Sequence, residues 1–356
     1  IALDAIIRAL WRLKTGKKLL EWVTAAESES QKGVRHNTLL TSLRRFWSSF
    51  VVGALFLLLA PQPAAKFAGS FFIITPFIAW LSGRPTPPIR DELSAEDAER
   101  LRSYAAAMWR FYEDYVTEQD NFLPPDNYQE APVSILAHRT SPTNIGLYLL
   151  STLAARDLKL IDSETMFERI RATITTIEKM EKWKGHLYNW YETKTLKPMK
   201  PVYVSTVDSG NLLCCLVALR EGIKDYENEC DGTDDLLGRI TKLIDDTDLG
   251  ALYNKHRRLF HLGYDVDAGK LTEIYYDLLM SEARMTSYYA IAKRIVPKRH
   301  WGALGRTLTR QNGYTGPISW TGTMFEYMMP HLLLPVYEDS MAAETMRFVI
   351  YCQQRR

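Results

Sequence analysis

The sequence predicts an all-α domain that is preceded by a membrane-associated helical segment. Apolar and aromatic residues recur at spacings of three and four through most of the 356 residues, as on the buried face of a helix. Only short strand-like pieces intervene, such as residues 259–264, and the lack of alternating strands and helices excludes a parallel α/β sheet. Two long, nearly uncharged stretches near the N-terminus indicate the membrane-associated part.

Residues 1–45 are predicted to form an amphipathic, basic helical segment. One apolar stripe has helical spacing and is bordered by cations. The stripe consists of Ala2, Leu3, Ile6, Ile7, Leu10 and Trp11, and the bordering cations are Arg8, Arg12 and Lys14. This pattern favours a helix that lies on a membrane surface. The alternative is a helix docked on a neighbouring soluble domain.

Residues 46–82 are predicted to form a transmembrane hairpin. Its two apolar stretches, 46–60 and 64–81, contain one charge, Lys66, and each is close to the ~20 residues that cross a hydrocarbon core. Cations flank the pair on both outer sides and predict cytoplasmic outer ends. These cations are Arg44, Arg45, Arg84 and Arg90. The alternative is a buried hairpin in a soluble protein.

Residues 83–93 are predicted to be a proline-rich linker, and residues 94–356 a helical domain. Its predicted helices cover residues 94–119, 144–158, 163–182, 208–221, 234–246, 271–292, 322–334 and 340–354. The connection lengths favour antiparallel pairs, which suit an α/α toroid and an α-solenoid equally well. The chain starts at Ile1 and stops inside a helical pattern, so we expect it to be a piece of a longer polypeptide.

Composition excludes several classes of function for this segment. A net charge of +2 gives no global field for nucleic acid. The sequence has no Walker loop, GxGxxG, HExxH or GxSxG pattern, so nothing indicates nucleotide, zinc or serine chemistry. The cysteines have no CxxC spacing and are interpreted as ordinary thiols. They are Cys214, Cys215, Cys230 and Cys352.

Polar-tipped aromatic residues are concentrated in residues 184–193. A core rarely needs so many of them together, because each polar tip requires a partner when it is buried. We therefore expect a ligand-facing role for His186, Tyr188, Asn189, Trp190 and Tyr191. The loop that begins at Arg139 and the aromatic ring of Trp320 are further candidates for sugar contacts; the loop can also be read simply as a well-built helix start.

Asp208 begins a predicted helix, where it can act as an N-cap and be kept ionised by the helix dipole. Together with Asn211 on the same turn, it can equally bind sugar hydroxyls. Both interpretations remain open at the level of sequence.

Glu282 gives the sharpest chemical signal. It is predicted to lie in an apolar helical run with Asp277 and Arg284 nearby, so desolvation should raise its pKa and keep it protonated, as a general acid requires. The alternative is an ion pair with an arginine on a neighbouring helix. Glycoside cleavage needs a second carboxylate. The internal candidates are Asp208, Glu192 and Glu326, of which Glu326 can equally be a capping acid.

Several motifs, in this order along the chain, resemble cyclic β-1,2-glucan synthases. They are LLEWVTAAE at 19–27, TSPTNIGLYLLSTLAARDL, GHLYNWYET, YVSTVDSGNL, YYDLLMSEARMTSYYAIA and SWTGTMFEYMMP. The resemblance implies a glucoamylase-like middle domain with an (α/α)6 fold, incomplete here at its C-terminus. It also implies an upstream glycosyltransferase domain that uses UDP-glucose and a divalent metal, and a downstream phosphorylase-like domain. No cofactor is expected in this segment.

The same resemblance implies that Glu282 is the acid/base of an anomer-retaining transglycosylation that closes linear β-1,2-glucan into rings. The nucleophile is expected in a WGISES-like motif that this sequence does not contain, so we expect the isolated segment to be inactive. The substrate-binding candidates are Arg139, His186, Tyr188, Asn189, Trp190, Tyr191, Asp208, Asn211, Arg284, Trp320 and Glu326.

The expected partners are β-1,2-glucan, inner-membrane lipid and flanking domains of the same polypeptide, with no nucleic acid. The expected location is the bacterial inner membrane, with the soluble domain facing the cytoplasm. Three alternatives remain. One is a non-catalytic module that binds glucan or docks other domains, and another is a β-1,2-glucan hydrolase. The third, a toroid cyclase or lyase for lipids or acidic sugars, would need an acid pair, but 234–235 and 245–246 look like solvated caps.

Overall fold

The computed structural model describes residues 2–15, 38–83 and 93–355, and it divides into two compact units, 1–92 and 93–356. Most of the predicted linker lies outside the described residues, as do Arg84, Arg90 and the 19–27 motif. The side chains of Ala2, Leu3, Ile7 and Arg8, which belong to the predicted amphipathic helix, lie outside them as well.

The first unit is helical. Its helices are α1 (Ala2–Thr15), α2 (Leu39–Arg45), α3 (Trp47–Leu59) and α4 (Pro63–Ser82). Helices α3 and α4 approach closely at two glycines, because a Cβ atom on Gly53 would lie 2.7 Å from the carbonyl oxygen of Gly69. Small residues at such a crossing allow two backbones to pack directly against each other.

The outward surfaces of α3 and α4 are apolar. Exposed side chains include those of Phe50, Leu55, Leu58, Phe67, Phe71 and Ile78. By length and composition, α4 is long and apolar enough to cross a membrane. Helices α2 and α3, which are bent by 70° at their junction, would add a second candidate if they count as one span.

The second unit is built mainly from helices. They are α5 (Ala95–Tyr115), α6 (Pro142–Asp157), α7 (Ser163–Lys179), α8 (Thr206–Ile223), α9 (Thr233–Asp245), α10 (Arg284–Ala292), α11 (Arg299–Ala303), α12 (Met324–Met328) and α13 (Met341–Gln354). Short 3₁₀ turns cover Glu118–Asp120, Lys224–Glu229, Leu249–Leu252 and Met329–Leu332. The expectation of an all-α fold is confirmed.

The loops between these helices carry short antiparallel strands. They are β1 (Tyr128–Gln129), β2 (Ile135–Leu136), β3 (Arg139–Thr140), β4 (Lys182–Trp183), β5 (His186–Leu187), β6 (Tyr191–Glu192), β7 (Tyr203–Ser205), β8 (Tyr253–Asn254), β9 (Leu259–His261), β10 (Gly263–Asp265), β11 (Lys270–Leu271), β12 (Tyr275–Tyr276), β13 (Leu308–Gln311) and β14 (Tyr314–Pro317). The two three-stranded sheets have the orders β11-β10-β7 and β12-β9-β8. In register, Tyr264 lies opposite Val204, and Tyr275 lies opposite His261.

Helices α6 and α8 are enclosed, whereas α7 and α9 each bury one face. The main core consists of aliphatic and aromatic side chains from these four helices, with Ile145, Phe167, Leu216 and Ile240 fully or almost fully buried. A helix buried around most of its circumference needs apolar residues on several sides, while a one-sided helix keeps a polar face for solvent. Along the chain, enclosed and one-sided helices therefore alternate.

Two of the predicted helices are wrong in part. Residues 271–283 contain β11, β12 and a turn, so that only Arg284–Ala292 is helical. Tyr275 and Tyr276 pair with β9 instead, since aromatic residues fit a half-buried sheet surface. The predicted helix 322–334 is shortened to α12 and the 3₁₀ turn that follows it.

The packing of α8 against α10 depends on Gly210. A Cβ atom at this position would lie 1.7 Å from Oγ1 and 2.5 Å from Cβ of Thr286, a fully buried residue. Since the clash includes the Cβ atom of Thr286, rotating its side chain cannot relieve it, and the helices would have to separate.

We therefore expect Gly210→Ala to lower the free energy of unfolding by about 1–3 kcal/mol. The matched control is Gly238→Ala in α9, where nothing lies within 4 Å of the added atom. There alanine should stabilise the helix by roughly 0.5–1 kcal/mol. Urea denaturation of both variants, followed by circular dichroism, measures the difference. Equal effects would contradict the close contact.

Candidate active site

Three helices, α6, α8 and α10, bring their first turns together at one end of the second unit. Thr143 Oγ1 in α6 donates a hydrogen bond of 2.5 Å to Asp208 Oδ1 in α8. Thr286 Oγ1 in α10 lies 3.5 Å from the carbonyl oxygen of Thr206, the first residue of α8. Helix N-termini carry partial positive charge and free N–H groups, so this arrangement suits negatively charged or oxygen-rich ligands.

Glu282 lies in the turn that enters α10 and is half-buried. Burial raises its pKa from 4.5 to about 7, the negative charges of Asp208 and Glu326 act in the same direction, and the nearby Asn211 side chain opposes them. A substantial fraction of Glu282 is therefore protonated at neutral pH. The prediction that it sits within a helix is wrong, because α10 begins two residues later.

Arg284 does not pair with Glu282. Its buried guanidinium donates to Met280 Sδ at 2.9 Å and to His331 Nε2 at 3.2 Å, and it is absent from the charges that act on the Glu282 carboxyl group. The alternative of a structural ion pair between Glu282 and an arginine finds no support among the described residues. The assignment of Arg284 as a substrate-binding residue stays a prediction, and the described contacts of its guanidinium are with Met280 and His331.

Asp208 occupies the centre of the three helix ends. Its carboxyl group accepts from Thr143, and its backbone N–H donates to Ser205 Oγ, so that Ser205, not Asp208, caps α8. Burial raises the pKa of Asp208, while the hydrogen bonds from Ser205 and Thr143 lower it. The expectation that Asp208 itself caps the helix is therefore wrong, because Ser205 occupies the cap position, and burial opposes the ionised form of Asp208.

Asn211 and Asn189 hold amide groups beside the carboxyls. Asn211 Nδ2 donates to Thr143 Oγ1 at 3.1 Å. With its amide oriented to satisfy both neighbours, Asn189 donates to Asp208 Oδ2 at 2.9 Å and accepts from Trp190 Nε1 at 3.1 Å. The structure therefore brings Asn189, Trp190, Asp208 and Asn211 together, as donors and rings that could contact sugar hydroxyls.

Arg139 covers Trp190 at the edge of this group. Its guanidinium carbon lies 4.8 Å from the centre of the indole ring, and its Nη2 atom is 2.9 Å from Asp126 Oδ2. Strand pairing fixes the arrangement, because Arg139 lies opposite Glu192 across β3 and β6. Glu192 itself is exposed and accepts from Thr195, so it is placed on the outer side of the ribbon.

The interpretation of His186, Tyr188 and Tyr191 as ligand-facing is wrong. All three are buried, with exposed fractions of 1%, 4% and 0%. Their polar tips have protein partners: His186 Nε2 contacts the carbonyl oxygen of Asp248, and both tyrosine hydroxyls donate to Glu181. In this case the core does accommodate a run of polar-tipped aromatics, since both tyrosine hydroxyls and His186 Nε2 have partners, although His186 Nδ1 is buried without one.

Glu326 has a structural role in the turn that precedes α12. Its buried carboxylate accepts from the backbone N–H groups of Trp320 and Thr321, at 3.0 and 2.8 Å, and from Thr321 Oγ1 at 2.7 Å. The capping interpretation therefore describes its contacts, and its charge still acts on Glu282. The turn that it holds presents Trp320, which is 43% exposed.

Sequence reasoning missed Tyr276, Tyr203 and Thr143. Burial and then the charges of Glu282 and Asp208 raise the pKa of Tyr276, which places its hydroxyl beside both carboxyls. Its ring centre lies 5.9 Å from that of Trp320. The available signal was the Tyr275-Tyr276 pair that begins the motif YYDLLMSEARMTSYYAIA. Because this segment was predicted to be helical, the sequence did not indicate where the Tyr276 side chain would point.

No group of three or more His, Cys, Asp or Glu side chains in the described ranges is arranged to hold a metal ion. The carboxyl groups at the helix ends instead resemble an acid–base site. Glu282, of which a substantial fraction is protonated at neutral pH, therefore has the protonation state that a proton donor requires.

Comparison with solved structures identifies the fold, which is similar to that of helical proteins described as glucoamylases and endo-β-1,2-glucanases. A candidate glucoamylase from Bacteroides uniformis aligns with a TM-score of 0.59 and 12% identity, over 75% of this chain and 67% of its own. An endo-β-1,2-glucanase from Chitinophaga pinensis in complex with sophorotriose and glucose gives 0.58 and 15%, over 74% and 67%. The Talaromyces funiculosus endo-β-1,2-glucanase with sophorose gives 0.56 and 14%, over 72% and 62%.

The resemblance to cyclic β-1,2-glucan synthases is confirmed. The chain is 31% identical to cyclic β-(1,2)-glucan synthase NdvB of Rhizobium meliloti over 478 aligned positions, which include 98% of this chain. It spans 17% of the length of that protein. A family model described as a protein of unknown function (DUF3131) matches residues 103–271.

The electrostatics of Glu282 predict a stability effect. A folded-state pKa of about 7 against an ordinary value of 4.5 means that the stabilising contribution is complete below pH 4.5 and is lost as the pH rises through 7. Glutamine cannot ionise, so Glu282→Gln should exceed the wild type in free energy of unfolding at pH 8 by about 1–3 kcal/mol.

Urea denaturation at pH 4.5 and pH 8 measures this effect, and the gap between the two proteins should open only at the higher pH. The matched control is Glu338→Gln, which changes an exposed carboxylate and should show little pH-dependent difference. A constant gap at both pH values would show that Glu282 is not desolvated.

Proposed function

We propose that this chain is a segment of a cyclic β-1,2-glucan synthase, and that its helical unit closes linear β-1,2-glucan into rings by anomer-retaining transglycosylation. The similarity to NdvB over 98% of the chain supports β-1,2-glucan as the polysaccharide on which the protein acts. The fold shared with two β-1,2-glucanases supports glycosidic chemistry in this unit. Polymerisation from UDP-glucose, with its divalent metal, is assigned to an upstream domain of the longer protein.

The observation that carries the mechanism is the raised pKa of Glu282, about 7, at the meeting point of three helix N-termini. Glu282 donates its proton to the leaving glycosidic oxygen as the bond to the anomeric carbon breaks. A second carboxylate forms a bond to that carbon from the opposite face. Glu282 then removes the proton from the 2-hydroxyl at the far end of the same chain, whose oxygen displaces the carboxylate and closes the ring.

The second carboxylate is assigned, from the family resemblance, to the WGISES-like motif, and the 356 residues alone are therefore proposed to be inactive. Of the internal candidates, Glu326 is held by three donors and Glu192 is exposed on a ribbon. Asp208 is proposed to raise the pKa of Glu282 and to help position sugar hydroxyls, since it lies beside the Asn189 amide and Thr143.

The first unit is proposed to anchor the protein in the bacterial inner membrane, with the second unit on the cytoplasmic side. The apolar surface of α3 and α4 is exposed, as a lipid-facing surface requires. Arg44 and Arg45 lie just before the pair, and Arg84 and Arg90 follow it in sequence, which supports cytoplasmic outer ends.

We expect Glu282→Gln to lower the rate of ring closure by about 10²–10⁴-fold, since it removes the transferable proton. The assay uses membranes from cells that express the complete gene product, supplied with linear β-1,2-glucan. Mass spectrometry detects rings, which are lighter by one water than linear glucans with the same number of residues, and the shorter linear glucan that each ring closure releases. Glu338→Gln serves as the control. Full cyclising activity in Glu282→Gln would instead favour a glucan-binding module.

The charge of Asp208 predicts a shift in the pH profile. A general acid must be protonated, so activity should fall as the pH rises through about 7, the pKa of Glu282. Asp208→Asn removes a negative charge that raises this pKa, and the alkaline limb of the kcat/KM profile should move to lower pH. An unmoved limb would show that Asp208 does not act on Glu282.

The exposed ring of Trp320 and the half-buried ring of Trp190 predict where the glucan binds. Trp320→Ala and Trp190→Ala should each weaken glucan affinity roughly tenfold, because loss of an aromatic contact costs on the order of 1 kcal/mol. Calorimetry with linear β-1,2-glucan measures the affinity, and Tyr337→Ala, at a 71% exposed tyrosine, is the control. Unchanged affinity in both tryptophan variants would remove this surface as the binding site.

A further inference from the structure

A cavity of about 330 Å³ lies in the second unit, next to α10 and the start of α13. Its wall contains two arginines and a histidine: Arg284, Arg306 and His331. The other lining groups are mainly apolar and include Leu279, Met280, Trp301, Leu334 and Met341. No Asp or Glu lines the cavity.

Arg284 is the unusual feature of this wall. It is 6% exposed, and its contacts are a thioether, Met280 Sδ, and an imidazole nitrogen, His331 Nε2. Neither partner carries negative charge, and no described carboxylate forms an ion pair with Arg284. A guanidinium has five N–H donors, so most of them lack a strong acceptor.

The charge of Arg284 persists despite burial. Desolvation lowers its pKa to about 10, which still leaves it protonated at neutral pH. Burial also lowers the pKa of His331, and its Nε2 atom accepts from Arg284, so this imidazole is neutral. A buried charge without a counter-charge is costly, and proteins normally compensate for it with a paired ion.

We propose that this cavity binds a carboxylate that is carried on an apolar group. A carboxylate matches the planar guanidinium of Arg284 in a two-bond arrangement. Arg306 adds a second positive charge at the rim, where it donates to the carbonyl oxygens of Leu304 and Trp301. The aliphatic and indole walls receive the apolar part of the ligand, which a neutral, hydroxyl-rich glucan does not supply.

This inference is independent of the proposed glycosidic function, since Arg284 turns away from Glu282. Two sources can supply the carboxylate: a free small molecule, or an acidic side chain from another part of a longer polypeptide. The chemistry at Arg284 is the same in both cases, and the experiment separates them.

The test compares phenylacetate with its neutral analogue phenylacetamide, on the 356-residue chain in detergent micelles. Thermal melting and saturation-transfer NMR report binding. Phenylacetate should raise the melting temperature and phenylacetamide should not. Arg284→Met should weaken phenylacetate binding at least about tenfold, since a charge-assisted pair is lost. Arg310→Met, at an exposed arginine on β13, is the matched control and should bind as the wild type does.

The same measurements on the complete gene product identify the source. If a carboxylate side chain of the polypeptide fills the cavity, phenylacetate will not bind there and Arg284→Met will lower the melting temperature. If the ligand is free, phenylacetate will bind both proteins. The proposal is overturned if phenylacetamide binds the wild type as tightly as phenylacetate does. It is equally overturned if Arg284→Met binds phenylacetate as tightly as the wild type does. It is also overturned if neither protein binds phenylacetate and Arg284→Met leaves the complete product equally stable.

Discussion

The hydrogen bond from Thr143 to Asp208 joins the first turns of two helices, and the arrangement of the carboxyl groups at these helix ends depends on it. It sets the N-termini of α6 and α8 side by side, and the contact between Gly210 and Thr286 adds α10 to them. With the three helix ends fixed, the turn before α10 can hold Glu282 only beside Asp208. The site is therefore a property of helix packing more than of any single loop.

Two opposing electrostatic effects meet at this point. The helix ends supply partial positive charge, which favours ionised carboxylates. Burial favours protonated ones and raises the pKa of both Glu282 and Asp208, and the charge of Asp208 raises the pKa of Glu282 further. Hydrogen bonds from Thr143 and Ser205 lower the pKa of Asp208, whereas Glu282 has only the Asn211 side chain to oppose burial. The two acids are thus distinguished by how many donors surround them, which is a common way to separate the roles of paired carboxyls.

The sequence was sufficient to predict the helical class, most helix positions and the importance of Glu282. Helical spacing is a strong signal for long amphipathic segments such as α7 and α9. It was misleading for 271–283, where Leu271 lies in a strand that pairs with β10, and Tyr275 and Tyr276 form a strand that pairs with β9. His186, Tyr188 and Tyr191 could not be placed for a similar reason, since their partners Asp248 and Glu181 are known only from the tertiary structure. The residue types indicated which chemical groups were present, but the direction in which each side chain points became known only from the tertiary structure.

The backbone around Trp320 is fixed although its ring is open to solvent. Three donors bind the Glu326 carboxylate, so the peptide units on either side of the ring have little freedom to move. A ring on a mobile loop loses conformational entropy when it receives a ligand, whereas this one has already been ordered during folding. The fold therefore provides a flat aromatic surface on an ordered backbone. If a long flexible polymer bound there, most of the conformational entropy lost would be that of the polymer.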